Sequence, residues 1–270
     1  MLNFFGGRRD QVEEHVAREN YPKALQALQK RLKEDPTSVY LRQRMAEILE
    51  ADGRAEEAVP ILLELVDEHA QNGFVARSLA LLKKVRRMDP DITLSGHLSV
   101  LKESAEEEPS GSLDSQAGFA TSEIVLSDWV AEAEGRDDFH WSPLLSELSE
   151  QELAAVFGEL RLLVKNPGAI IYAAGEPEGG LYVLASGSAR VYRPDEKGRC
   201  HQISMLKGGD FFGIDSVLNR GPRRHTVTAA ETCELLEMDL GLFDRLAALY
   251  PKIRGQVERM AAEMNMGYRP

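Results

Sequence analysis

Apolar residues recur at helical spacing through residues 10–90, which predicts a series of amphipathic helices. The stripe is interrupted at residues 52–54, where the sequence Asp-Gly-Arg is typical of a helix end, so the pattern indicates two helices joined by a tight turn. The stripe before this break consists of Leu41, Met45, Ile48 and Leu49, and the stripe after it of Ala58, Ile61, Leu62 and Leu65.

The helical pattern also repeats along the chain. Ala58 and Leu62 stand 34 residues after Ala24 and Leu28, which is the tetratricopeptide period. The segment resembles the tetratricopeptide family, although the tryptophan of the family signature is absent and Pro60 falls within the first two turns of a predicted helix. A third, partial unit contains Gly73-Phe74 and then Leu79, Leu82, Val85 and Met88, and it stops at Asp89-Pro90 as the first unit stops at Asp35-Pro36. A plain antiparallel helical bundle is the alternative.

The second half of the chain has a different spacing of apolar residues. Short apolar runs alternate with turn residues about every eight to twelve positions, which is typical of a small β-barrel or sandwich. The turns contain Asn166-Pro167-Gly168, Gly175-Glu176-Pro177 and Ser186-Gly187, and the runs between them include Leu181-Tyr182-Val183-Leu184 and Ala189-Arg190-Val191.

The stretch KGGDFFGIDSVLNRGPRRHT, which begins at Lys207, has residue types that core packing alone does not explain. Its glycines suit a tight turn and a backbone that a ligand approaches closely. The segment from Ile214 to Leu218 is about one helical turn long, and its first N–H groups could hold an anion. Arg223 and Arg224 follow, and a guanidinium near such a helix start can hold a phosphate. A solvated basic turn is the alternative.

From Ser142 to about Met264 the sequence resembles the cyclic-nucleotide-binding domain of the catabolite-activator and protein-kinase-A regulatory family. The matching residues are Pro167-Gly168, Gly175, Leu181-Tyr182, Gly187, Gly198, Gly208-Gly209-Asp210-Phe211-Phe212-Gly213, Pro222-Arg223, Thr226-Val227, Ala229 and Phe243. The resemblance implies a jelly roll in which this stretch is the phosphate-binding cassette. It implies candidate ligand-binding residues at Phe212, Gly213, Ile214, Asp215, Ser216, Arg223, Arg224, His225 and Thr226.

Two positions depart from the family pattern. Ile214 stands where the family has a glutamate that accepts from the ribose 2′-hydroxyl, and the loss of such a bond typically costs about 1.5–3 kcal/mol. Asp215 is next in line, but one residue along a helix turns a side chain by about 100°, so it is not expected simply to replace that glutamate. Arg224 and His225 stand where the family has two small residues. We therefore expect a smaller, more positive pocket, weak or no binding of cyclic AMP, and a cyclic dinucleotide as the more plausible ligand; an empty pocket is the alternative.

The chain has 270 residues, a hydrophobic content of 43% and a net charge of −12, and this length suits about two domains. We predict a helical repeat domain over 1–102, an acidic flexible linker over 103–141 and a jelly roll with a C-terminal helix over 142–270. Residues 1–102 hold 16 basic and 16 acidic side chains, whereas residues 103–142 hold one basic and eleven acidic. Neither predicted domain is basic enough to follow a phosphate backbone, so direct binding of nucleic acid is not expected.

The predicted linker is polar and acidic, which is typical of a disordered segment. Within it, Ile124, Leu126, Trp129 and Val130 form a short amphipathic insert that either docks on a partner or packs back on the jelly roll. No apolar run is long enough to span a bilayer, and the N-terminus lacks the apolar core of a secretory signal. We therefore expect a cytoplasmic protein.

Few residues support catalysis or metal binding. Cys200 and Cys233 fall in predicted strands and are expected to be small buried hydrophobic residues. The six histidines are scattered, and no nucleophile elbow or P-loop lysine is present, so we predict neither an enzyme nor a metal site. Glu176 and Glu178 lie in one turn and are expected to be solvated.

The C-terminal segment contains an apolar stripe at helical spacing, formed by Ile253, Val257, Met260 and Met264. The favoured interpretation is that this helix docks on the barrel; it could also act as a lid or pair two subunits in a homodimer. The DNA-reading module of the activator branch would need several dozen further residues, so a transcription factor is disfavoured. The sequence predicts a non-enzymatic regulatory adaptor that binds a protein through its repeats, with a structural scaffold as the alternative.

Overall fold

The structure is a computed structural model that describes residues 6–106, 148–195 and 197–266. Its first part consists of six helices, and consecutive helices pack on one another, while the sixth packs mainly on the fourth. The helices are α1 (Gly6–Ala17), α2 (Tyr21–Glu34), α3 (Val39–Ala51), α4 (Ala55–Gln71), α5 (Val75–Met88) and α6 (Ser95–Glu106).

Local signals in the sequence set the bounds of these helices. Asn20 caps α2 and Ser38 caps α3, because each side chain accepts from a backbone N–H three residues on. Gly53 and Gly73 take left-handed φ angles of 76° and 80° in the turns before α4 and α5. The predicted repeat core is confirmed at two pairs of positions 34 residues apart, because Ala24 and Ala58, like Leu28 and Leu62, are each at most 2% exposed. The third pair differs, since Leu65 is buried whereas Arg31 is half-buried.

The second part is the predicted jelly roll with flanking helices. Its strands form two four-stranded antiparallel sheets, in the orders β1-β8-β3-β6 and β2-β7-β4-β5. The elements are α7 (Glu150–Glu159), β1 (Arg161–Lys165), β2 (Ile170–Tyr172), β3 (Leu181–Ser186), β4 (Ala189–Pro194), β5 (Cys200–Leu206), β6 (Phe211–Phe212), α8 (Ile214–Asn219), β7 (Thr226–Ala229), β8 (Cys233–Met238), α9 (Leu240–Leu249) and α10 (Pro251–Met266).

Strand β3 is buried on both faces. Tyr182 and Leu184 point into the barrel and belong to its interior cluster. Leu181, Val183 and Ala185 point the other way and belong to the large cluster that also contains the repeat helices. A strand that is buried on both faces has a continuous run of apolar residues, which explains why β3 is apolar from Leu181 to Ala185.

The repeats and the barrel share a core because α5 packs on β3 and β8. Lys84 of α5 forms an ion pair with Glu234 of β8, and both side chains are at most 14% exposed. Beside it, Lys83 Nζ donates to the Gly158 carbonyl at 3.1 Å and lies 4.6 Å from the centroid of the Phe157 ring. The two predicted units therefore do not stand apart on a flexible tether.

The structure can also be compared with the predictions for the linker boundary and the two cysteines. Helix α6 continues to Glu106, four residues into the predicted linker, and the amphipathic insert at 124–130 lies outside the described residues. Cys233 is buried as expected, but the prediction for Cys200 is wrong, because it opens the edge strand β5 and its side chain is exposed. None of the described helices has the length and hydropathy needed to cross a membrane.

The C-terminal helix docks on the chain, as favoured from its stripe. Ile253 and Val257 are at most 3% exposed and belong to the large core cluster. The side chains of Met260 and Met264 lie outside the described part of the helix.

Candidate functional site

The barrel encloses a cavity of about 220 Å³ beside the predicted cassette. Eight of the nine candidate residues line it; Thr226 does not, since its hydroxyl accepts from the backbone N–H of Ala174 at 3.0 Å. The wall is formed by Tyr172, Val191, Arg193, Ile203, Ser204, Leu206, Phe212, Gly213, Ile214, Asp215, Ser216, Arg223, Arg224, His225, Val227 and Ala261. Strands β4 and β5, the cassette and helix α10 therefore meet at this cavity.

Arg223 is the most tightly held charged group at the cavity. It is 5% exposed, and it donates from Nη1 to the Gly213 carbonyl at 3.1 Å and from Nη2 to the Gly180 carbonyl at 2.6 Å. A Cβ on Gly213 would lie 2.6 Å from Nη1, and a Cβ on Gly179 would lie 2.7 Å from Nη2. The glycines therefore form a cradle that only a backbone without side chains can provide.

Aromatic rings complete the surroundings of this guanidinium. Arg223 lies 4.3 Å from the centroid of the Tyr172 ring and 5.5 Å from that of Tyr182, within the range of cation–π contacts. Tyr182 in turn stacks on Phe212 at 5.3 Å and donates from its hydroxyl to Glu237 at 3.0 Å. Burial and the neighbouring Glu237 raise the pKa of Tyr182 to about 12, so the phenol remains neutral at pH 7.

The short helix α8 begins at Gly213, whose φ of 85° lies in the left-handed region. Ser216 fastens this helix, because its hydroxyl donates to the Gly221 carbonyl at 2.8 Å and accepts from the Gly179 N–H at 3.2 Å. Arg220 ends the helix in a left-handed conformation, with φ of 52°. Serine at this position is therefore used to hold the cassette in shape.

The two positions after Gly213 differ in their surroundings. Ile214 is buried at the junction of the cavity wall and the large core. Asp215 is half-buried and also lines the cavity, so the one-residue shift does not remove it from the cavity wall. A rotation of about 100° per residue applies to a regular helix, whereas α8 has only six residues and follows a left-handed glycine. This rotation therefore does not predict where the Asp215 side chain lies.

Positive and titratable groups also line the cavity. Arg224 is exposed, whereas His225 is half-buried. The pKa of His225 is lowered below its ordinary value, first by burial and then by the charges of Arg193 and Arg224, while Asp215 acts in the opposite direction. The imidazole is therefore mainly neutral at pH 7 in the empty cavity.

The sequence reasoning missed the wall residues that come from distant elements. Val191 and Arg193 are two positions apart on β4 and so share a face, which is a period-two signal that could have identified Arg193. Tyr172 comes from β2 and Ala261 from α10, and no local motif identifies either of them. Within the described ranges no cluster of three or more histidine, cysteine or acidic residues could hold a metal ion.

Two family models match the chain, and both resemblances seen in the sequence are confirmed. The model described as "Cyclic nucleotide-binding domain" matches residues 156–250, and the model described as "Tetratricopeptide repeat" matches residues 15–82. The first range contains the cavity-forming strands and the whole cassette, and the second covers the end of α1, all of α2, α3 and α4, and about half of α5.

Individual relatives match part of the chain. The chain is 34% identical over 104 residues to the "cAMP-dependent protein kinase regulatory subunit" of Yarrowia lipolytica, which covers 38% of this chain and 27% of that protein. It is 28% identical over 110 residues to the "CRP-like cAMP-activated global transcriptional regulator" of Mycobacterium tuberculosis, which covers 41% and 49% respectively. Both relatives are regulators by name, and this chain spans half of their length or less.

A similar solved structure is the catabolite activator protein of Thermus thermophilus. The identity is 25% and the TM-score is 0.43, with 46% of this chain and 59% of that chain covered.

Proposed function

We propose that this chain is a regulatory protein without catalytic activity, which binds a cyclic nucleotide by its phosphate in the barrel cavity. The observation that carries the proposal is the buried guanidinium of Arg223, held at the cavity wall by two backbone carbonyls. A guanidinium has five N–H donors, so two bonds to carbonyls leave three for an anion. Because the group is already fixed, little side-chain entropy is lost when a phosphate binds.

The proposed ligand must suit a small, positive cavity. Its volume of about 220 Å³ lies below the roughly 300–1,000 Å³ typical of small-molecule sites. A cyclic dinucleotide would place one phosphate at Arg223 and its second phosphate at the exposed Arg224. Ile214 offers no acceptor to a ribose hydroxyl, so Asp215 is the carboxylate that remains for a ligand donor. The expected preference for a cyclic dinucleotide over cyclic AMP therefore rests on charge and on Ile214, whereas the cavity volume alone would favour the smaller cyclic AMP.

The helical repeats supply the second half of the proposed role. Stacked tetratricopeptide helices offer an extended surface to a peptide or helix of another protein, and this supports an adaptor function. We place this adaptor in the cytoplasm. A homodimer through α10 stays a prediction, although Ile253 and Val257 are buried within the chain and cannot form its interface while α10 is docked.

Calorimetric titration of the full chain with cyclic AMP, cyclic GMP and cyclic di-GMP tests the proposed ligand class. The full chain is needed because the repeats cover one face of β3. We expect binding of at least one of these nucleotides, with a cyclic dinucleotide tighter than cyclic AMP. Absence of binding by all three would favour a scaffold whose barrel holds no such ligand.

A further inference from the structure

Helix α5 has buried residues on every side, although Arg86 and Arg87 in its last turn are exposed. Nine of its 14 residues are buried, including the charged Lys84. Such a helix packs against more than one neighbouring element. One side packs on α4, and another packs on β3 and β8 of the barrel. The repeats therefore form an outer layer on the same sheet whose inner face supports the cavity.

The same sheet connects this layer to the ligand-binding arginine. Strand β8 carries Glu234, which pairs with Lys84 of α5, and three residues later Glu237, which accepts from the Tyr182 hydroxyl. Tyr182 lies beneath the guanidinium of Arg223. These contacts, joined through the β8 backbone between Glu234 and Glu237, thus connect the repeats to the cavity.

Helix α5 also touches the start of the cassette. A Cβ on Gly208 would lie 3.5 Å from Nη2 of Arg77, which belongs to the first turn of α5. The following residues are fixed to β3, since Gly209 N–H donates to the Leu184 carbonyl at 2.7 Å and Leu184 N–H donates to the Asp210 carbonyl at 3.0 Å. A shift of α5 relative to the sheet would therefore displace both β3 and the loop that leads into Phe211.

We propose that α5 couples the helical repeats to the cavity, so that a protein partner bound to the repeats and a ligand bound at Arg223 change each other's affinity. Close-packed layers do not deform independently, and β3 is enclosed between two of them. Coupling between two binding sites is reciprocal. If α5 carries this coupling, a change at its contact with the barrel alters ligand affinity. The predicted effect on ligand affinity rests on the proposed function, whereas the structural coupling of α5 to β3 and the cassette does not.

Substitution of Lys84 by methionine tests the coupling, because it leaves the Glu234 carboxylate buried without its partner. In the full chain we expect amide hydrogen exchange at residues 181–185 and 208–213 to accelerate by at least about tenfold. The matched control is Arg87→Met, which removes an ion pair of the same helix with Glu50, within the repeats. This control should leave exchange in the barrel unchanged.

Two further variants keep the test decisive. The double variant Lys84→Met with Glu234→Met removes both charges of the buried pair, so it should restore the protection that the single variant loses. If Lys84→Met does not fold, Lys83→Met takes its place, since this half-exposed lysine loses only its bond to Gly158 and its contact with Phe157.

The ligand measurement uses whichever nucleotide the wild-type chain binds in calorimetry. The affinity should change by at least about fivefold in Lys84→Met and remain unchanged in Arg87→Met. If the wild-type chain binds none of them, the proposed function fails, and hydrogen exchange alone decides the coupling. The coupling is overturned if the variant loosens α5 while residues 208–213 keep wild-type protection, or if exchange changes nowhere.

Discussion

Nη1 of Arg223 lies 3.1 Å from the carbonyl oxygen of Gly213, and a Cβ added to Gly213 would lie 2.6 Å from the same nitrogen. The arginine and the glycine therefore require each other. The left-handed φ of Gly213 turns its carbonyl towards the guanidinium, and the absence of a side chain leaves the space that the guanidinium occupies.

Gly213→Ala is expected to remove ligand binding and to lower the melting temperature. The left-handed conformation costs a residue with a Cβ roughly 1–2 kcal/mol, and the contact with Arg223 adds to this cost. Gly221→Ala is the matched control, because that glycine lies in the same loop and its added Cβ would meet only an ordinary contact at 3.9 Å. Equal melting temperatures and affinities for the two variants would contradict the cradle.

Ala58→Glu is expected to destabilise the repeats by several kcal/mol, since the carboxylate would be buried at a helix contact without a partner. The control is Ala51→Glu, at an exposed position near the end of α3. Circular dichroism melting of the full chain measures both variants. A wild-type melting curve for Ala58→Glu would contradict the assignment of Ala58 to the repeat core.

Stability should fall with acidification because of His69. Burial lowers the pKa of this histidine to about 4 in the folded chain, against an ordinary value of 6.5, so the unfolded state binds the proton more strongly. The stabilisation is complete above pH 6.5 and is lost as the pH falls towards 4, and it amounts to about 3 kcal/mol. Urea unfolding at several pH values should show a flatter dependence on pH for His69→Gln than for the wild type.

Binding of an anionic ligand should tighten as the pH is lowered. His225 has a depressed pKa in the empty cavity, and a phosphate beside it would raise that pKa, so binding takes up a proton. Arg193, Arg224 and Asp215 are the charged groups that influence this histidine. Calorimetry in buffers of different ionisation enthalpy measures the uptake, which should vanish in His225→Asn. A persistent proton uptake in that variant would assign it to another group.

The local features of this fold could be predicted from the sequence, because each depends on neighbouring residues. The helix ends at Asn20 and Ser38, the left-handed turns and the glycines around Phe211 and Phe212 carry their own signals. The 34-residue period likewise predicts the buried alanines and leucines, since each repeat presents the same positions to the stack.

The contacts between distant elements could not be predicted in the same way. Ala80 and Leu81 lie outside the stripe of α5, and this second apolar face was the available signal for the contact with the barrel. Cys200 was correctly assigned to a strand, but its exposure depends on β5 being a sheet edge. The position of the Asp215 side chain depends on the left-handed conformation of Gly213, just before α8. A rotation of about 100° per residue describes only a regular helix, so it does not predict this position.

The binding of a cyclic nucleotide to the full chain, compared between Arg223→Ala and Arg220→Ala, tests the central claim most directly. Arg220 belongs to the same cassette, but its side chain is exposed and pairs with Asp244. We expect Arg220→Ala to bind as the wild type does. Arg223→Ala should lose roughly 1.5–3 kcal/mol or more of binding free energy, about tenfold or more in Kd. Tight binding of cyclic AMP that Arg223→Ala leaves unchanged, in a variant that retains its circular dichroism spectrum, would contradict the account.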